Sequence, residues 1–450
     1  MTGGRDPKGW RRLRDHLSLP LFRNAYFLIL SSGVGSVLGF PFWAIAAHLY
    51  STRIVGLAVA AVSAMMLISG IGQLGMASIF ARYLPVAGAR TRRFIVSTYL
   101  GTGALTLALG LLAAWTSHLW SPPLRFLGAD AGWFVLFAAA TVTWTIFTLQ
   151  DSVMTGLHET RWVPVENAVF AVAKLVLVVV FANVAHSAGI FLAWIVPGMF
   201  LIFPVNLAIF TRFLPRRAKS TPPAEPAWTS VEMRKLIGGN YVGSLSAFVA
   251  TLLLPVLAAN EVGASAAGYF YVPWTIMLGV VLVAANMSTS LSVETALGES
   301  ELREHTRNAI AAILGILTPA VLVIFVFAAQ ILSLFGPEYE RHGTWLLRIL
   351  IIGTFPEALT LVGLSLARLR HDGRLVAIAQ IEFAVITLGL SALLLPRIGI
   401  IAAGIALLIA LFVEAGLMTP TLAHALTRVS PSAPDPPARP ADEAGAIADG

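Results

Sequence analysis

Apolar stretches of about 20 residues alternate with short polar breaks along nearly the whole chain. At 1.5 Å of rise per residue, each stretch is long enough as a helix to cross a hydrocarbon core of roughly 30 Å. Twelve such runs can be read, at 24–47, 54–81, 94–117, 132–153, 163–184, 187–210, 236–258, 266–290, 308–333, 343–366, 375–395 and 398–420. They must be helices, because lipid offers no partner to an open strand edge. The pattern predicts an all-α polytopic membrane protein.

The longest break, "TRFLPRRAKSTPPAEPAWTSVEMRK" at 211–235, is rich in proline and charge and divides the runs six and six. The halves echo each other at a fixed offset of 212, which pairs Ala47 with Ala259, Gly56 with Gly268 and Arg82 with Glu294. Two six-helix lobes with pseudo-twofold symmetry are therefore expected, over 24–210 and 236–420, as in transporters built from parallel repeats. Residues 1–23 read as a cytoplasmic N-terminal segment, with 10–22 suited to a short interfacial helix. Residues 211–235 read as a cytoplasmic linker, and 421–450, rich in proline, alanine and acid, as a disordered tail.

Composition supports the same class. Hydrophobic residues make up 57% of the 450 and charged residues 12%, with a mean hydropathy of +0.81. A soluble globular protein carries roughly 25% charged residues. The net charge of +7 does not point to nucleic acid, because the basic residues cluster in short loops. The N-terminus, the even-numbered loops and the C-terminus hold most of them. The opposite set holds Arg53, Arg125, Arg341 and Arg397. That bias places both termini in the cytoplasm of a plasma-membrane protein. There is no cysteine, which excludes disulfides and thiolate ligands.

Motifs for enzymatic chemistry are missing. "GVGSVLG" at 33–39 follows no strand and lacks dinucleotide spacing, and its Gly35 and Gly39 suit close helix packing. "GIGQLG" at 70–75 reads the same way. No GxxxxGK[ST] and no histidine cluster occur, so neither ATP hydrolysis, a resident metal nor another cofactor is expected.

Ionisable groups inside the runs are the informative exceptions, each costing roughly 2.5–3.5 kcal/mol at a helix centre. Lys174, within "AVFAVAKLVLVVVFA", lies about 16 Å into the fifth run, near the midplane. Glu357, beside Pro356, falls at a similar depth, and Glu382 and Glu414 lie nearer the cytoplasmic end. Either these groups pair within a lobe, or they line a polar passage between lobes. For Lys174 the expected orientation is toward the gap between lobes, serving an anionic substrate or pairing with Glu357. Asp151 and Glu166 are the candidate partners within its own lobe. Glu382 and Glu414 are expected to share one polar patch.

Residues 23–85, which include Asn24 opening the first run, "VGL" at 55–57 and "LGMASIFARYLP" closing the second, resemble the start of polysaccharide-biosynthesis flippases. "QDSVMTGLHETRW" at 150–162 is similar to that family's turn between the fourth and fifth helices. The family, which includes O-antigen flippases, belongs to the multidrug/oligosaccharidyl-lipid/polysaccharide exporter superfamily. The resemblance implies a non-enzymatic transporter that flips a polyprenyl-diphosphate-linked oligosaccharide to the outer leaflet. It also implies membrane lipids, a polysaccharide polymerase and glycosyltransferases as partners. Basic residues would meet the diphosphate, and the candidates are Arg23 and Arg82 near the cytoplasmic helix ends and Lys174 in the middle. A cation-coupled exporter of the drug-efflux type is the alternative, for which Glu357, Glu382 and Glu414 are the candidate ion-coupling residues.

Overall fold

Because a helix satisfies its own backbone, each apolar run settles into one, and its polar flanks mark where it leaves the lipid. The computed structural model describes residues 38–216, 230–295, 302–370 and 372–427. We label the membrane helices α1 (Leu38–Leu49), α2 (Thr52–Gly72), α3 (Thr91–Trp115), α4 (Ala131–Gly156), α5 (Trp162–Val184) and α6 (Gly189–Ala208). The second set comprises α7 (Ser230–Val262), α8 (Ala264–Thr295), α9 (Leu302–Val326), α10 (Pro337–Leu369), α11 (Gly373–Ile398) and α12 (Ile401–Thr427). Eleven stretches among the described residues are long and apolar enough to span, and α1 is the described part of the first run.

The runs and helices overlap, with three internal breaks, of which the ninth run's falls at Phe327, between the helices Leu302–Val326 and Ala328–Ser333. The second run breaks at Gln73–Gly75, where Leu74 and Gly75 take positive φ of 50° and 72°, and a separate helix, Met76–Tyr83, follows. The tenth breaks at Gly353, which starts a new helical turn at Thr354. Turns elsewhere are abrupt: Gly263, at φ 98°, separates α7 from α8. A positive φ of this kind is strained for any residue with a Cβ.

Within the first set, α3 packs on α4, α5 on α6, and α4 on α2 and α6. Within the second, α11 packs on both α7 and α12, and α10 packs on α8 and α12. The two sets meet where α2 lies along α7 and α8. This seam is self-complementary. A Cβ on Gly56 would overlap the carbonyl oxygen of Ala264, and one on Gly268 would come within 2.7 Å of the carbonyl oxygen of Thr52. Thr52 and Ala264 are separated by the same 212 residues as Gly56 and Gly268. Reciprocal contact between equivalent residues marks an isologous interface, so the pseudo-twofold relation passes between these two glycines.

The same face of α2 continues the seam. Gly70 faces the Phe248 ring and Gly75 the Tyr241 ring of α7, as a packing role for "GIGQLG" requires. Among the described residues Gly39 has nothing within 4 Å of its would-be Cβ, and Gly35 lies outside the described residues. Next to the Gly56 contact, a hydrogen-bonded clasp joins the lobes. Ser121 Oγ donates to Asn260 Oδ1 at 2.7 Å, and Asn260 Nδ2 donates to the Trp120 carbonyl at 2.8 Å.

Candidate functional site

Phe170 and Lys174 are four residues apart on α5 and therefore share one face of that helix. The face is turned into the lobe and not toward lipid, leaving Lys174 only 6% exposed. Its ammonium nitrogen sits 4.1 Å from the Trp194 ring centroid on α6, 5.0 Å from Phe42 on α1 and 5.5 Å from Phe170. All three rings are buried. Among the described residues Lys174 makes no ion pair and donates no hydrogen bond, so the rings supply its stabilisation. A desolvated cation over an aromatic face gains about 2 kcal/mol or more, which offsets part of the cost of placing it there.

The cage belongs to a larger aromatic body that reaches the other lobe. Trp144 and Phe147 of α4 stand against Phe170, and Trp43 stands 5.9 Å from Trp194. The Trp43 ring in turn meets Tyr271 of α8 edge-on at 4.7 Å. Two rings, Trp194 and Trp43, thus stand between Lys174 and Tyr271 of the other lobe.

Neither acid considered as its partner within the lobe is paired with it. Asp151 and Glu166 are engaged crosswise with amides. Gln150 Nε2 donates a short hydrogen bond to Glu166 Oε1, and Asn167 Nδ2 donates to Asp151 Oδ2 at 3.3 Å. Asn206 of α6 then donates to Gln150 Oε1 at 3.0 Å. Two adjacent polar residues on α4 therefore face two on α5, with Gln150 wholly buried. Among the described residues Glu166 Oε2, Asp151 Oδ1 and the Tyr99 hydroxyl are buried without a hydrogen-bond partner.

In the second lobe Glu414 of α12 is 1% exposed, and its Oε1 accepts a 2.7 Å hydrogen bond from Gln380 of α11. Glu357 lies in the first turn after the Gly353 break, on the helical stretch that packs against α12. Among the described residues both Glu382 oxygens are buried without a hydrogen-bond partner. Among the described residues no group of acids or histidines could hold a metal ion.

Arg23 lies outside the described residues. Arg82 falls within the helix Met76–Tyr83, and its side chain also lies outside what is described. Arg348 turns to the end of α9, where its Nε donates to the Phe325 carbonyl at 3.2 Å between the rings of Phe325 and Trp345.

Sequence reading overlooked Phe42, Trp194 and Trp43, which make the cage and carry it to the seam, and the amides Gln150, Asn167, Asn206 and Gln380. Two signals were there to read. Phe170 precedes Lys174 by one helical turn, and "QD" at 150–151 and "EN" at 166–167 sit on neighbouring helices as matched acid–amide pairs.

Neither a protein-family model nor a curated protein matches the sequence. Solved structures do match the fold. The lipid II flippase MurJ in an inward closed conformation superposes with a TM-score of 0.66 at 14% identity, covering 90% of each chain. An inward-facing multidrug resistance MATE family transporter of the MOP superfamily gives 0.60 at 16% identity, covering 91% of this chain and 98% of that one. A MOP superfamily transporter from Pyrococcus furiosus, described as having a binding pocket of reversed polarity, gives 0.61 at 15% identity over 91% and 95%. The chain has the fold of these transporters.

Proposed function

We propose that the chain is a non-enzymatic membrane transporter that moves a lipid-linked oligosaccharide, anchored through an anionic diphosphate, from the cytoplasmic to the outer leaflet by alternating access. The carrying observation is the Lys174 ammonium, held near mid-membrane by rings and not by a carboxylate. A cation locked in an ion pair would have to break that pair before meeting a substrate. One held by aromatic faces can turn outward at smaller cost and still return. Lysine suits transient contact, since its point charge on a flexible stem can release a moving phosphate.

On this reading Arg23 and Arg82 meet the diphosphate first, from the cytoplasmic side, and Lys174 meets it midway. The seam at Gly56 and Gly268 then closes the outer end of the path, in a plasma membrane with both chain termini in the cytoplasm. Glu357, Glu382 and Glu414 are the ion-coupling group, and a polysaccharide polymerase and glycosyltransferases are the partners.

A second reading has its own support. Glu357, Glu382 and Glu414, carboxylates carried on the spans of the second lobe, together with the fold shared with MATE family transporters, suit a cation-coupled small-molecule exporter.

Reconstituted vesicles carrying a fluorescent polyprenyl-diphosphate sugar separate the two. Flipping should be fast with the wild-type protein, reduced at least tenfold in Lys174→Met and largely retained in Lys174→Arg. Full flipping in Lys174→Met would remove Lys174 from the mechanism. Absence of flipping by the wild type, with proton- or sodium-driven efflux of a drug in its place, would establish the second reading.

A further inference from the structure

A lysine ammonium carries three donors and in most proteins spends them on oxygen atoms. Lys174 spends none among the described residues, and its surroundings are ring faces drawn from three helices. That is the composition of a site for alkylammonium ions, which are recognised through the aromatic quadrupole. The chain itself provides the occupant.

We propose that the cage of Phe42, Phe170 and Trp194 is an alkylammonium-binding site which Lys174 keeps filled as a tethered ligand. The proposal rests on the reading of the inter-lobe region as the substrate path, and it adds a selectivity to that path. While the lysine occupies the cage, a free organic cation finds the site both full and of like charge. An anionic headgroup finds a counter-charge that it can draw out. The same rings would serve a cation exporter if the lysine were missing, so one side chain sets which sign of substrate the aromatic body accepts. Trp43 passes the state of the cage to the other lobe, because it stands between Trp194 and Tyr271.

Three features make the cage a built site. Phe42 has no exposed surface, and Phe170 and Trp194 have little, so the rings are held in place by their neighbours. Phe147 and Trp144 support Phe170 from behind. The nitrogen is also nearest the indole of Trp194, the ring type that attracts cations most strongly.

The test is chemical rescue. Truncation in Lys174→Ala empties the cage, and propylammonium replaces the missing atoms, with propanol as the neutral match and sodium chloride as the ionic-strength control. In detergent-purified protein, propylammonium is expected to raise the melting temperature of Lys174→Ala by about 1 °C or more, in line with the shift that ~1 kcal/mol of ligand binding gives a chain of this size. Propanol and salt should leave it unmoved. Wild type and Lys174→Met, whose cages are already filled, should not respond, and Lys174→Ala with Trp194→Leu should lose the response.

Equal shifts with propanol, a shift in the wild type, or no shift in Lys174→Ala would each overturn the proposal. Should Lys174→Ala fail to fold alone, its yield of folded protein with and without propylammonium makes the same comparison, and no recovery overturns it. The outcome is separate from that of the flipping assay. Rescue without any dependence of flipping on Lys174 keeps the cage and sinks the transport role, and the converse result does the reverse.

Discussion

Gln150 has no exposed surface, and its side-chain amide links two helices by accepting from Asn206 and donating to Glu166. In lipid such a group has no water to fall back on, so removing it strands its neighbours. Gln150→Leu leaves Glu166 Oε1 without its donor, and leaving a buried acceptor unmade costs about 1–3 kcal/mol. The variant is expected to melt several degrees lower in detergent. Gln150→Leu with Glu166→Leu should recover most of the loss, because the stranded acceptor is gone too. If the double variant is no more stable than the single, the pair is not acting as a unit. Lys174 obeys the same rule with rings in place of amides. Its depth was legible from its position in the fifth run, but the identity of its neighbours was not. Phe42 lies 132 residues before it in the chain and Trp194 lies 20 after it, and nothing in their local sequence distinguishes them from other buried aromatics.

At the scale of elements, α2 carries the contact between lobes, and its glycines decide how near α7 and α8 can come. A side chain at Gly56 would collide with backbone and not with a flexible side-chain end, so the helices would have to separate. Gly56→Val is expected to part α2 from α8 by a few ångström. Spin labels on the exposed Arg53 and Glu261 would report this as a longer distance, with slowed transport in vesicles. An unchanged distance would mean that the seam yields elsewhere. The equivalence of Gly56 and Gly268 could be read from the repeat. Their contact could not, because a repeat fixes which residues correspond and says nothing of where the axis runs. The breaks at Gln73–Gly75 and Gly353 were also hidden inside continuous apolar runs, since a kink in lipid needs local partners and not a polar signal. Gln73 illustrates this: it donates to Thr148 of α4 at 2.8 Å where α2 ends.

For the whole molecule, the proposed orientation rests on the distribution of arginine and lysine over the loops. Cysteines introduced at the exposed Arg216 and Arg341 should label from opposite faces of intact membrane vesicles. Labelling of both from one face would end the proposed topology. The all-helical class and the approximate positions of the described spans were legible in the sequence alone. Each depends on run length against bilayer thickness and on a backbone that must bond to itself, and both are local requirements. Only the tertiary structure decided that Lys174 rests among rings, that Glu414 takes Gln380 as its partner, and that Asp151 and Glu166 take amides as partners. The helices here are apolar on nearly every side, and lipid tails are as apolar as leucine, so hydrophobic patterning does not say which face meets protein. The rotation of each helix is set by packing against helices distant in sequence, and that rotation chooses the company each buried charge keeps.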